Sequence, residues 1–219
     1  RRKNMSIVKG LKNIEALLDK PKYDNSNKVN WLKLEDGQSV QLRFVSELDA
    51  DSPHYDEARG LAIVVKEHTN PKDYKRKAVD TMETEGKDFA EEMHRKDPKA
   101  GWGGRLRFYI NVLVDDGVND PFVAVWSMGV TKSPTFNTIR EYASESNSIS
   151  NMTWKLKRNG KGTETSYTFI PLKQDETEFD WSKYEAFNLE NALRKVPYAE
   201  QEAFYLGFEN PAVSTSVDW

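Results

Sequence analysis

Between Leu106 and Val112 every second residue is apolar: Leu106, Phe108, Ile110 and Val112. A period of two belongs to a strand with one buried face, and no helix can bury that pattern. The alternate positions are Arg105, Arg107, Tyr109 and Asn111. They put two guanidiniums and a phenol in a row on the opposite face, a strip that can hold phosphates and stack on a base. The lead-in Gly101-Trp102-Gly103-Gly104 adds an aromatic ring on a flexible entrance. Taken alone, the strip fits an ordinary sheet surface as well; its repetition in other strands gives it weight.

Two further stretches alternate in the same way. Val40, Leu42 and Phe44 point inward while Gln41 and Arg43 point out, and with Trp31-Leu32-Lys33-Leu34 and the Asp36-Gly37 turn they read as a hairpin. Met152, Trp154 and Leu156 share one face and Thr153, Lys155 and Lys157 the other; Asn159-Gly160-Lys161-Gly162 turns the chain into Tyr167–Pro171. Leu61 to Val65 is an apolar run that fits a central strand, and Phe122 to Met128 returns the chain after the Asp115-Asp116-Gly117 turn. Residues 66–77 are rich in lysine and arginine, and Asn70-Pro71 marks them as a loop. Helices are expected over Ile7–Leu18, Thr81–Arg95, Ser133–Ala143 with Ser133 as cap and Pro134 at the first position, Asn188–Val196 and Ala199–Leu206. The last nine residues, Pro211–Trp219, read as unstructured.

The strands and their spacing predict a mainly β fold with added helices: an oligonucleotide-binding type β-barrel with a helical insertion and C-terminal helices. Three parts follow: an N-terminal helical arm over 1–29, the barrel over 30–172 with a charged insertion at 69–100, and an acidic segment over 173–219. The net charge of -3 conceals that division. Residues 173–219 hold ten acids and four bases, so residues 1–172 carry a net +3. A basic body with an acidic end suits a protein that binds a polyanion, although blocks of like charge also form plain solvated faces.

Other chemistries find little support. The chain has no cysteine, hence no disulfide and no thiolate metal site, and His54, His68 and His94 lack zinc-ligand spacing. No phosphate loop, dinucleotide glycine pattern, His-Glu-x-x-His or Gly-x-Ser-x-Gly elbow occurs. Asp115 and Asp116 are explained by a turn. No apolar run is long enough to cross a membrane and no signal-peptide pattern opens the chain, so a cytoplasmic protein is expected. The expectation is a non-catalytic protein without cofactor or metal.

The basic segments each have an aromatic nearby. The candidate DNA-binding residues are Arg43, Lys66, Lys72, Tyr74, Lys75, Arg76, Lys77, Arg95, Lys96, Lys99, Trp102, Arg105, Arg107, Tyr109, Lys155, Lys157, Arg158 and Lys161. Lysine and arginine track phosphates, and exposed rings stack on any base. Of the aromatics, Tyr74, Trp102 and Tyr109 are the candidate stackers; Trp31, Trp126 and Trp154 read as core.

In its order of segments the chain resembles the single-stranded-DNA-binding proteins of tailed phages, the T-even helix-destabilising type above all. The stretches that carry the likeness are Trp31–Leu34 with Gln38–Phe44, Leu61–Val65, Arg105–Asp115, Phe122–Gly129 with the helix after it, and Met152–Leu172. The resemblance covers residues 30–172 in pattern more than in identities. It implies a barrel that coats single strands cooperatively during phage DNA replication, recombination or repair, in the cytoplasm of an infected bacterium, with an acidic C-terminal arm that recruits replication or recombination proteins. It also implies a basic N-terminal motif for self-association, to which Arg1–Ser6 has a slight likeness. The family carries a zinc subdomain where this chain has residues 69–100 without cysteine; His68 alone echoes a ligand, and no zinc is expected. Two rival functions stand beside this one. One is an accessory factor that uses the barrel to bind another protein; the other is a nuclease or other nucleic-acid enzyme using Asp49, Asp51, Asp115 or Asp116.

Overall fold

A computed structural model of the chain describes residues 29–174 and 179–208, with Thr163, Lys173 and Gln174 as backbone only. The expected helical arm over 1–29 and the terminal stretch 211–219 lie outside the described residues, apart from Val29.

The opening alternation forms the longest strand, β4 (Arg105–Asp115). One edge of β4 is shared: its first half pairs with β2 (Ile63–Asn70) and its second half with β1 (Ser39–Phe44). Its other edge pairs along its length with β5 (Phe122–Gly129). β3 (Asp73–Val79) extends β2, and the hairpin of β6 (Met152–Asn159) and β7 (Ser166–Gln174) extends β1. All these pairings are antiparallel, in one seven-stranded sheet. Between β5 and β7 lie four strand spacings, about 19 Å if the sheet were flat. Yet Trp126 of β5 stands 6.1 Å from the ring of Tyr167 and 5.9 Å from that of Phe169, both on β7. The sheet is therefore strongly curled around one core, but it stays open: no β5–β7 pairing occurs among the described residues.

The period-two residues fill that core. Val40, Leu42, Phe44, Phe108, Ile110, Val112, Trp126, Trp154 and Leu156 are buried together. Trp154 lies flat on Phe169 at 4.3 Å, so Trp154 and Trp126 are core rings as expected, and Trp31 packs beside Tyr109. Helix α3 (Pro134–Ser146) caps this core with Phe136, Ile139 and Tyr142, its start fixed by Ser133, whose side chain accepts from Phe136 N.

Four local expectations need correction. Residues 66–77 are not a loop: the strand runs on through Asn70, turns at Pro71-Lys72, and returns as β3. Proline sits in the hairpin turn, where its missing N–H costs no ladder bond, and the ladder shifts register beside the turn, between Thr69 and Asn70. The single charged helix is two, α1 (Met82–Glu85) and α2 (Phe89–Lys96), because Gly86 takes a left-handed φ of 72° and Asp88 starts a new N-cap. Residues 31–34 do not form a hairpin with β1; Trp31 bridges Val125 of β5 instead. Residues 188–196 form no helix, only a turn over 189–192, while α4 (Tyr198–Leu206) forms as expected.

Candidate nucleic-acid interface

The face of β4 opposite the core carries Arg105, Arg107, Tyr109, Asn111 and Leu113, but it is not an open strip. Residues 179–193 lie across its second half. Leu189 and Leu193 pack on Tyr109 and Val125, and Phe179, Trp181, Tyr184 and Phe187 pack against Val45, Leu113 and Val123. Asn111 fastens the covering segment: its amide donates to Phe187 O at 2.9 Å, and its carbonyl accepts from Phe187 N at 3.1 Å. Arg43, expected to face a strand of DNA, lies over the Phe179 ring at 4.5 Å.

Tyr109 is fully buried and cannot stack on a base. Its hydroxyl donates to Glu67, and its ring meets Trp31 edge-on at 6.0 Å. Burial, then the charge of Glu67, pushes its phenol well above the ordinary tyrosine range. Glu67, itself buried, pairs with Lys77 at 3.2 Å and with Arg107 at 3.7 Å. Arg107 also donates to Ser127 Oγ at 2.9 Å. Lys77 and Arg107 are thus half-buried partners of an internal carboxylate, and burial lowers the Lys77 pKa.

Trp102 is likewise buried, against expectation. With Ala78, Ala90, Phe204 and Tyr205 it forms a second small core, meeting Tyr205 at 5.5 Å and Phe89 at 6.0 Å, both edge-on. The glycine lead-in is close packing rather than slack: a Cβ at Gly104 would come within 2.4 Å of Lys66 Cε and 3.0 Å of His68 Cε1. Beneath it, His68 Nδ1 bonds Trp102 O at 2.7 Å and Nε2 bonds Asp80 at 2.9 Å. Lys66 Nζ lies 2.8 Å from Asp80 and 3.2 Å from Glu91. Burial would lower the Lys66 pKa, but the hydrogen bonds and charge of Asp80 and Glu91 outweigh it and raise it.

Other candidates also have internal partners. Arg76 pairs with Asp73 at 3.2 Å and donates to Phe204 O. Arg95 pairs with Glu91 at 3.4 Å. Arg158 donates to Leu34 O at 2.6 Å, tying β6 to the chain before β1, and to Thr165 Oγ1 at 3.2 Å, just before β7.

What remains exposed falls in three places. At the tip of the β2–β3 hairpin Tyr74 is 80% exposed between Asp73 and Lys75, with Lys72 also exposed. Lys96, Lys99 and Arg105 are exposed around the α2–β4 connection. Lys155 and Lys157 stand on the outer face of β6, with Lys161 exposed in the turn that follows. Across the ladders Lys157 faces Ser39 and Thr168, and Lys155 faces Gln41 and Ile170, none of them acidic. Ile170 and Leu172 are 46% and 47% exposed beside them. The sequence reading missed these two apolar residues. The signal was present, since continuing the alternation of Tyr167 and Phe169 puts Thr168, Ile170 and Leu172 on the opposite face.

Three of the four carboxylates of the nuclease alternative, Asp49, Asp115 and Asp116, are engaged in turns. Asp115 accepts from Gly117 N and Asp116 from Val118 N and Asn119 N, all at 2.9 Å, and these bonds hold the Asp116 carboxyl below its ordinary range. Asp49 accepts from Asp51 N at 3.2 Å.

Comparison with protein-family models, with curated proteins and with solved structures found no match to this chain.

Proposed function

We propose that the protein binds single-stranded DNA without catalysis and with little sequence preference, as part of DNA replication or recombination, on a curled sheet of the oligonucleotide-binding barrel type. The observation that carries this reading is the outer face of the β6–β7 hairpin. Two lysines there have no acidic cross-strand neighbour and lie next to two exposed aliphatic side chains. Ammonium groups beside an apolar surface serve a ligand whose charge lies on its backbone and whose bases present flat, poorly hydrated faces. At the tip of the other hairpin the exposed Tyr74 ring adds a stacking surface near Lys72 and Lys75, beside Asp73, whose carboxylate pairs with Arg76. Arg105, Lys96 and Lys99 add positive charge without ion pairs among the described residues.

The same aliphatic patch favours one alternative. Ile170 and Leu172 lie on β7, whose outer edge carries no paired strand among the described residues, and such an edge also suits an extended peptide. Titration of a labelled poly-dT oligonucleotide at several salt concentrations separates the two. Replacing Lys155 and Lys157 together by alanine should weaken binding and reduce the slope of log K against log salt by about 1.4, about 0.7 for each lost phosphate contact. A parent protein that does not bind the oligonucleotide, or a double variant with an unchanged slope, overturns this assignment.

A further inference from the structure

A structural zinc is the group that the family resemblance would put between the early and later strands, and the geometry there has the outline of a metal centre. His68, Asp80 and Asp88 each offer one ligand atom, all within 4.8 Å of one another, and Glu91 Oε2 lies 3.8 Å from His68 Nε2. The donors, however, are already engaged. Asp88 Oδ1 accepts from Glu91 N at 2.9 Å as the cap of α2; its Oδ2 accepts from Thr81 N at 3.1 Å and Gln201 Nε2 at 3.0 Å. Asp80 Oδ1 accepts from Met82 N at 2.7 Å, and both nitrogens of His68 have oxygen partners. No thiolate is present, although structural zinc is usually held with cysteine. As arranged, these residues do not fit zinc.

We propose that the ammonium of Lys66 replaces a metal ion here: it is the cation on which Asp80 and Glu91 close, and it ties β2, the start of α1 and the first turn of α2 into one lobe. The lobe needs such a tie. Its apolar core is small, and Asp80 and Asp88 are buried or nearly so, which demands compensating charge or hydrogen bonds. The two carboxylates that touch Lys66 respond as this role requires. Burial would raise Asp80, but Lys66, His68 and Met82 N together lower it; Glu91 is lowered first by its bond to Lys66. Lys66 is 43% exposed, yet its charge is directed inward, so it is a positioning residue for the lobe rather than a phosphate contact. This inference does not depend on DNA binding.

The test uses the intact protein, purified without chelator. Metal content by plasma mass spectrometry should show no stoichiometric ion, and excess EDTA or added zinc should leave the melting temperature unchanged. Lys66→Met should speed amide exchange across residues 89–96 by about tenfold or more, the equivalent of one lost charged hydrogen bond, while β1 and β6 stay protected. Lys66→Arg, which keeps a cation, should stay much closer to the parent than Lys66→Met. A bound metal whose removal lowers the melting temperature overturns the proposal, as does unchanged exchange in Lys66→Met. If Lys66→Met fails to fold, the metal and EDTA measurements on the parent still decide.

Discussion

Glu47 is 2% exposed and makes no ion pair among the described residues, yet it holds together two connections distant in sequence. Its Oε1 accepts from Ser148 Oγ at 2.7 Å and from both the amide and hydroxyl of Ser150; its Oε2 accepts from Ile149 N at 3.1 Å. Those donors belong to the stretch between α3 and β6, so Glu47 sets where β6 begins. Glu47→Ala leaves the buried amides of Ile149 and Ser150 without an acceptor. At about 1–3 kcal/mol for each stranded donor, the expected loss is about 2–6 kcal/mol. That is a large part of the roughly 5–15 kcal/mol that holds a domain folded. Glu47→Gln keeps the volume and one carbonyl, which can serve the three donors at Oε1. Its NH2 then faces Ile149 N, one donor against another, and the expected loss is about 1–3 kcal/mol. Urea unfolding followed by tryptophan fluorescence measures both, provided the denaturant slope is unchanged. A Glu47→Ala loss below about 1 kcal/mol, or a glutamine variant less stable than the alanine one, would refute this account of the carboxylate.

Tyr109→Phe should cost about 1.5–3 kcal/mol of stability, the value of a hydrogen bond to a charged group, and leave oligonucleotide affinity within about twofold. Tyr74→Ala should do the opposite, lowering affinity by about 1–3 kcal/mol per stacked base with the melting temperature unchanged; the reverse pattern by the same two assays would return Tyr109 to the binding surface. Ending the chain after Leu172 removes Phe179, Phe187, Leu189, Leu193, Phe204 and Tyr205 from three of the clusters, so the product should be insoluble or melt more than about 10 °C lower. A soluble, equally stable truncation that binds DNA more tightly at low salt would instead make the acidic segment a competitor for the basic surface.

The sequence pattern located most strands because each needs only its own alternation. Phe108, Ile110 and Val112 point to one side whatever lies beyond them, and Ser133-Pro134 starts α3 by local bonds alone. It could not say what covers the second face. Tyr109 and Asn111 were read as exposed because polar groups mark solvent in a half-buried strand. Asn111 is instead satisfied by the backbone of Phe187, 76 residues later, and Tyr109 by Glu67 on a neighbouring strand. One local signal pointed that way. Val123-Ala124-Val125-Trp126 on β5 is apolar without interruption, the mark of a strand buried on both faces. A sheet with such a strand requires a second apolar layer, and the aromatic-rich segment after Leu172 supplies much of it, with Trp31 beside it.

That requirement also changes the meaning of the acidic end. Between residues 179 and 193 the aromatic and aliphatic side chains turn onto the sheet, whereas Asp180, Glu185 and Glu190 are exposed. Net charge counts every residue alike, so it described the outer surface of this layer and hid the inner one. An arm that leaves a basic groove when DNA arrives must have little to lose on leaving. Residues 179–193 would expose Leu189 and Leu193, uncover Val45, Leu113 and Tyr109, and break both bonds between Asn111 and Phe187. With burial worth about 1.5–3 kcal/mol for each large side chain, their release would cost more than electrostatic competition at the surface returns. For this stretch the acids serve as the solvated outside of a structural layer, and the basic surface available to a polyanion is what that layer leaves uncovered: Lys155 and Lys157 at one end of the sheet, Arg105 and the Tyr74 hairpin at the other.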